Sequence, residues 1–221
     1  MGKILTAAAL ALLTASAANA TAIRFYTGNA AAYAVDSATF VTPTSAKNCN
    51  GNTDYCGATL TYNLGGGLTL TASSSGTSAT ATIQDVSPAS GGLGDNGAAY
   101  GDNTGGINGN LAEYVRLVFN QSVNLTGFFA FWDHHLPNGT SSIVDLNGSN
   151  YNSNGNSWIS TNLTGTTFTF KRVNDGYANA DYGTYVSALK YTSSTRVPEP
   201  GTLALLGLGL IGLGAASRRR A

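Results

Sequence analysis

Charge is what this sequence has least of. Only 10% of its 221 residues are Asp, Glu, Lys or Arg, too few for long solvent-facing helices, which carry a charged or polar face. The overall neutrality comes from the ends. Lys3, Arg218, Arg219 and Arg220 lie in terminal segments, and so does Glu199, which leaves seven basic and ten acidic residues in Thr21–Val197. A mildly acidic domain has no electrostatic footprint for nucleic acid, so nucleic acid is not an expected partner. Histidine is confined to His134 and His135. Adjacent residues on a strand point to opposite faces, so within a strand this pair is not placed to share one metal ion; beyond the strand end it could, with carboxylates from elsewhere, the alternative being a polar strand end. Glu113 is the domain's single glutamate beside nine aspartates, and nothing marks the paired carboxylates of a glycosidase. No G-x-S-x-G elbow occurs. Gly92-Leu-Gly94-Asp-Asn-Gly97 fits G-x-G-x-x-G by letter, but no readable helix follows it, which removes the dinucleotide reading. No repeat of solenoid or propeller length is present.

What the chain does have is Gly, Ser, Thr, Asn and Ala, together with eleven Tyr, eight Phe and two Trp. That many aromatics separates it from low-complexity disorder. Short β-branched or aromatic runs bounded by Gly, Asn, Ser or Asp predict strands at Ala22–Tyr26, Ala58–Leu64, Leu68–Ala72 and Ala79–Val86. Further strands are predicted at Glu113–Phe119, Leu125–Trp132, Ser142–Leu146, Thr167–Arg172 and Tyr182–Thr192. Alternation sets Phe168 and Phe170 toward a core. It also puts Val115, Leu117 and Phe119 on one face, opposite Tyr114, Arg116 and Val118. Ser87–Asn110 is less patterned and separates the earlier strands from the later ones. With no window of helical period between the termini, the expected fold is all-β, a β-sandwich or jelly-roll-like domain over residues 21–196.

The front end has the order of an export signal: Lys3, the apolar run Ile4–Leu13, then small residues ending Ala18-Asn19-Ala20. Residues 1–20 therefore read as a signal peptide with the A-x-A cleavage pair Ala18 and Ala20. Export places Cys49 and Cys56, the only two cysteines, in an oxidising compartment, where they read as a disulfide closing a small loop. Catalytic C-x-x-C spacing is absent.

The back end has three parts. Pro198-Glu199-Pro200 is held extended by its prolines, the form a processing enzyme can bind. Leu203–Ala216 is apolar and, taken from Gly201 to Ser217, reaches the lower end of membrane-spanning length. Arg218-Arg219-Arg220 favours a cytoplasmic end. In this order, at residues 197–221 and behind an N-terminal signal, they resemble the PEP-CTERM sorting signal. The resemblance implies a hydrophobic sorting helix, processing by an exosortase of Gram-negative bacteria, and transient inner-membrane anchoring before release to the cell surface or outside. Gly91-Gly-Leu-Gly-Asp95, Glu113–Phe119, Val123-Asn-Leu-Thr126 and Tyr185-Val-Ser-Ala-Leu189 also resemble a pattern common in PEP-CTERM exoproteins. That second resemblance implies a β-sandwich and names no ligand.

Two candidate ligand sites remain. Gly91–Glu113 is rich in oxygen donors on a glycine-rich segment, the kind of loop that hard cations use, although its spacing is not that of an EF-hand. Asp95, Asp102 and Glu113 are the candidate carboxylates for a structural calcium ion; the alternative is a polar loop whose Asp and Asn serve turns. Among the aromatics suited to stacking on sugar rings, Tyr151 and Trp158 lie amid Asn, Ser and Gly, ahead of Trp132 and Tyr100, with burial in the core as the competing reading. The expected function is a non-enzymatic protein of the cell surface or extracellular matrix, with association to exopolysaccharide or biofilm implied by the resemblance. The alternative is a secreted polysaccharide-active enzyme or carbohydrate-binding module.

Overall fold

The computed structural model describes residues 20–27, 37–48, 55–75, 79–86, 91–97, 113–132, 142–153, 157–173 and 184–193. They lie in the compact unit Ala20–Ser194; the second unit, Met1–Asn19 with Thr195–Ala221, falls outside them. The described residues contain strands and no helix, as the composition and the lack of a helical period lead one to expect. In chain order the strands are β1 Thr21–Arg24, β2 Thr39–Phe40, β3 Lys47–Asn48, β4 Tyr55–Gly57, β5 Leu60–Asn63, β6 Thr69–Ser75 and β7 Ala79–Asp85. They continue as β8 Gly92–Gly97, β9 Tyr114–Trp132, β10 Ser142–Leu146, β11 Ser149–Ser153, β12 Ile159–Arg172 and β13 Thr184–Ser193.

β9 organises the sheet. Its first half, Tyr114–Phe119, lies between β6 and the end of β12, with Val118 opposite Thr71 on one side and Thr167 on the other. Its second half, Val123–Trp132, exchanges β6 for β13. The change occurs at Asn120-Gln121-Ser122, where the register against β12 skips from Val118↔Thr167 to Val123↔Gly165. Extra residues on one strand of a pair bend it and raise its twist. The first half thus belongs to a section ordered β5-β6-β9-β12-β10-β11, and the second leads through β13 to β8, β7, β4 and β3. Pairing is antiparallel apart from β1 with β2.

The two sections enclose one main core. Leu60, Leu70, Val115, Leu117, Phe119, Phe168 and Phe170 from the first meet Leu93, Phe128, Val186, Leu189 and Tyr191 from the second. Phe119 meets Phe168 edge-on at 5.9 Å, and Phe128 meets Phe170 at 5.2 Å. This is the expected β-sandwich, built from one sheet folded over itself. The expected core faces hold: Val115, Leu117, Phe119, Phe168 and Phe170 are all buried. Val118, on the opposite face, is the exposed large hydrophobic of the described residues.

Four expectations are corrected. The strands expected at Glu113–Phe119 and Leu125–Trp132 are one strand, because the polar interval pairs with its neighbours: Asn120 Oδ1 accepts from Thr69 N at 2.9 Å, and Asn120 Nδ2 donates to Gly67 O at 2.8 Å. β12 starts at Ile159, eight residues before the expected Thr167, along β9's second half. β11 has no counterpart among the expected strands; the Asn147-Gly148 turn, with φ of 52° and 88°, folds it onto β10 as a two-residue hairpin. Finally, Gly92–Gly97 is a strand within the less patterned segment, pairing with β7 and with β13 at Leu93↔Val186. A Cβ on Gly92 would stand 2.8 Å from the Val186 carbonyl oxygen and 2.9 Å from Ser187 Cα. Glycine is there for close backbone approach, not for a turn.

A smaller core lies on the other side of β9's second half. Phe128 faces the main core, while Phe129 and Phe131 pack with Tyr26, Ala38 and Ala188, against which Ala22 and Trp158 also rest. Burial on both faces explains why Phe128–Phe131 shows no polar alternation.

Candidate functional site

Ala20, the expected cleavage residue, is exposed and directly precedes β1. Ala18 and the tail residues Pro198, Glu199 and Pro200 lie outside the described residues. So do Cys49, Tyr100, Asp102 and Asp133–His135. Cys56 is disulfide-bonded and half-buried on β4, opposite Lys47 of β3 and Ile83 of β7. Beside it is an open cavity of about 450 Å³ lined by Ser45, Ala46, Cys56, Gly57 and Ala58. Among the described residues, its walls bring no ionisable side chain to the bonded cysteine.

Of the three calcium candidates, two fall in described structure. Asp95 is on β8, opposite Thr82 of β7. Glu113 immediately precedes β9 and is only 3% exposed. Continuing the Tyr114↔Lys171 register by one residue brings it opposite Arg172, itself 7% exposed. Glu113 is thus an interior carboxylate beside a buried cation, where the sequence suggested the rim of a polar loop. Among the described residues no group of three or more His, Cys, Asp or Glu is placed to hold a metal ion.

The two sugar-stacking candidates are kept apart by the pleat. Tyr151 meets Phe128 edge-on at 5.6 Å and packs on the main core. Trp158 meets Phe129 at 6.1 Å and packs on the smaller core, with Lys190 Nζ 4.2 Å from its ring centroid. Phe128 and Phe129 are consecutive on a strand and point to opposite faces. Tyr151 and Trp158 therefore cannot form one platform, and each already has part of its ring engaged.

A family model described as the PEP-CTERM protein-sorting motif matches residues 196–220. The chain carries a PEP-CTERM sorting signal. It is thereby an exported protein whose signal is read in association with the membrane and processed by an exosortase. No curated protein and no solved structure matches the chain.

Inside the β domain of this PEP-CTERM protein, the described polar interior ties strands together. Gln84, fully buried on β7, is the hub. Its Oε1 accepts from the Tyr62 hydroxyl at 3.0 Å, and its Nε2 donates to the carbonyls of Phe25 at 2.8 Å and Val41 at 2.9 Å. One amide thus links β5, β7 and the segments after β1 and β2. Burial drives the Tyr62 phenol well above the usual tyrosine range, and burial likewise raises Tyr191 to about 12. Both stay protonated through neutral pH, as donors and packing groups. Neither Gln84 nor its role was legible in the sequence. A lone Gln inside the apolar alternation of Ala79–Val86 was the available signal, since a polar residue at a core position needs its partners supplied.

Proposed function

We propose that this exosortase-sorted protein acts without catalysis at the cell surface or in the extracellular matrix, in association with exopolysaccharide. The observation that carries the proposal is the sorting motif at residues 196–220, joined to a domain whose outward strand faces are rich in hydroxyl and amide groups. On β9 and β12, Asn120, Asn162, Thr164, Thr166 and Thr167 are exposed, and Asn124 Nδ2 donates to Asn162 Oδ1 at 2.9 Å on that surface. Uncharged donors and acceptors of this kind match the hydroxyl-rich surface of a polysaccharide. The same compositional economy argues for a structural or adhesive part, since charge-poor chains have few acids and bases to place in an active site.

Two measurements test this. Incubating the secreted protein with a panel of polysaccharides and assaying new reducing ends should show none above a heat-treated control. A glycan array probed with the same material should show retention on polysaccharide. Release of reducing ends from any member of the panel would replace this proposal with a polysaccharide-active enzyme.

A further inference from the structure

The outward face of the section β5-β6-β9-β12-β10-β11 collects two cations around one tyrosine. Tyr114 and Arg116 stand two residues apart on β9 and so share a face. The Arg116 guanidinium carbon lies 5.2 Å from the centroid of the Tyr114 ring. Lys171 of β12 is directly opposite Tyr114, and Thr169 is opposite Arg116. Arg116 and Lys171 are therefore diagonal neighbours, both exposed, and Tyr114, half-buried, adjoins Arg116 along β9 and Lys171 across the register. Neither cation has a salt-bridge partner among the described residues. The acid beside them, Asp145, faces Lys171 from β10 and uses its Oδ1 to accept from Gly148 N at 3.0 Å. On the other flank, Ser73 and Ser75 of β6 face Arg116 and Tyr114.

This arrangement runs against the rest of the domain. Ten acids outnumber seven bases in Thr21–Val197, yet here two cations are diagonal neighbours on one face, within reach of a single bound polymer. Stacking on Tyr114 also orients the guanidinium, whose planar fork matches a carboxylate in bidentate fashion. Hydroxyls at Ser73, Ser75, Thr167 and Thr169 surround the cluster. An anion carried on a hydroxyl-rich polymer matches the surface: carboxylates for the cations, and sugar hydroxyls for the Ser and Thr rows. Nucleic acid fits less well, because its denser charge calls for more cations than these two and its phosphodiester backbone offers the Ser and Thr rows no hydroxyls.

We infer that the Tyr114–Arg116–Lys171 face is a docking surface for acidic, uronate-bearing polysaccharide. This rests on the exopolysaccharide association proposed above and narrows it to an acidic polymer and a named face. The test measures binding of the secreted protein to polygalacturonate, to neutral dextran and to double-stranded DNA, by calorimetry at low and high salt. Polygalacturonate should bind, more weakly in high salt as screening grows, and dextran and DNA should not compete. Arg116→Gln and Lys171→Gln should each weaken polygalacturonate binding about tenfold, the scale of one charged hydrogen bond. Both should melt with the wild type, because the side chains are exposed. Lys47→Gln removes the same charge from β3 and should leave binding unchanged. Equal weakening in the Lys47→Gln protein, or none in the Arg116→Gln and Lys171→Gln proteins, overturns the docking face alone. Binding to dextran without polygalacturonate also overturns the face while keeping polysaccharide association. Binding to DNA alone, or to nothing, overturns both.

Discussion

Replacing Gln84 by Leu tests how the two sections of the sandwich are held. Leu matches Gln closely in size and keeps the site filled, so the change isolates the hydrogen bonds. It orphans three groups: the Tyr62 hydroxyl, the Phe25 carbonyl and the Val41 carbonyl. Tyr62, Phe25 and Gln84 are fully buried, so two of the three groups lose a partner that water cannot easily replace. Leaving a buried polar group unsatisfied costs roughly 1–3 kcal/mol. The Val41 bond is only partly buried and can be partly replaced by water. We expect a total of about 3–5 kcal/mol, a large share of the roughly 5–15 kcal/mol that holds a typical domain together. At about 2–4 °C per kcal/mol for a domain of this size, the melting midpoint should fall by about 6–20 °C. Tyr62→Phe alone orphans only Gln84 Oε1 and should cost about 1–2 kcal/mol. In the double variant the hydroxyl orphaned by Gln84→Leu is itself gone, so Tyr62→Phe added to Gln84→Leu should cost nothing or recover about 1 kcal/mol. Denaturant unfolding of all four proteins, disulfide intact, gives the cycle. Equal cost of Tyr62→Phe in both backgrounds would show that the pair is not coupled and refute the hub.

Alkaline pH should destabilise the domain. Tyr191 has its folded pKa raised to about 12 by burial and Tyr62 is raised as well, so the unfolded chain loses these protons first; stability is whole below about pH 10 and falls as pH rises toward 12. Melts across that window should show the loss and Tyr191→Phe should flatten it; an unchanged midpoint to pH 12 contradicts the assignment. Gly92→Ala pushes a methyl group against the Val186 carbonyl oxygen at 2.8 Å, and an expected cost of about 2–4 kcal/mol should appear as a lower denaturant midpoint. Reducing the Cys56 disulfide opens a short loop, so a loss of about 2–3 kcal/mol is expected in paired unfolding curves with and without reductant.

How much of this was legible depends on the kind of signal. Phe168 and Phe170, and Val115, Leu117 and Phe119, can be placed from alternation because their strand segments bury one face and expose the other. Phe128–Phe131 breaks the pattern because the strand there is covered on both sides. Gly92–Gly97 hides its strand because glycine serves turns and close approach alike, and only the proximity of Ser187 tells which. The calcium expectation rests on reading Gly91–Glu113 as one polar loop; Asp95 is instead on a strand and Glu113 is buried, while Asp102 lies outside the described residues. β11 is within reach of sequence reasoning, since Asn147-Gly148 behind Ile143-Val-Asp-Leu146 is a strong hairpin signal. The Arg116–Tyr114–Lys171 cluster is not, because it depends on the register between β9 and β12, which bulges shift at two places. The sorting tail was legible throughout, since it acts as a short linear motif and needs no fold to be read.

The central claim is that this is an exosortase-sorted exported protein, and intact-mass analysis of the mature chain from the native host and from a strain lacking the exosortase tests it most directly. Material from the native host should lack residues 1–20 and the apolar tail Leu203–Ala221, and material from the exosortase-deficient strain should retain the tail. Tail residues present in the mature protein of the native host, or an identical mass in both strains, would contradict it.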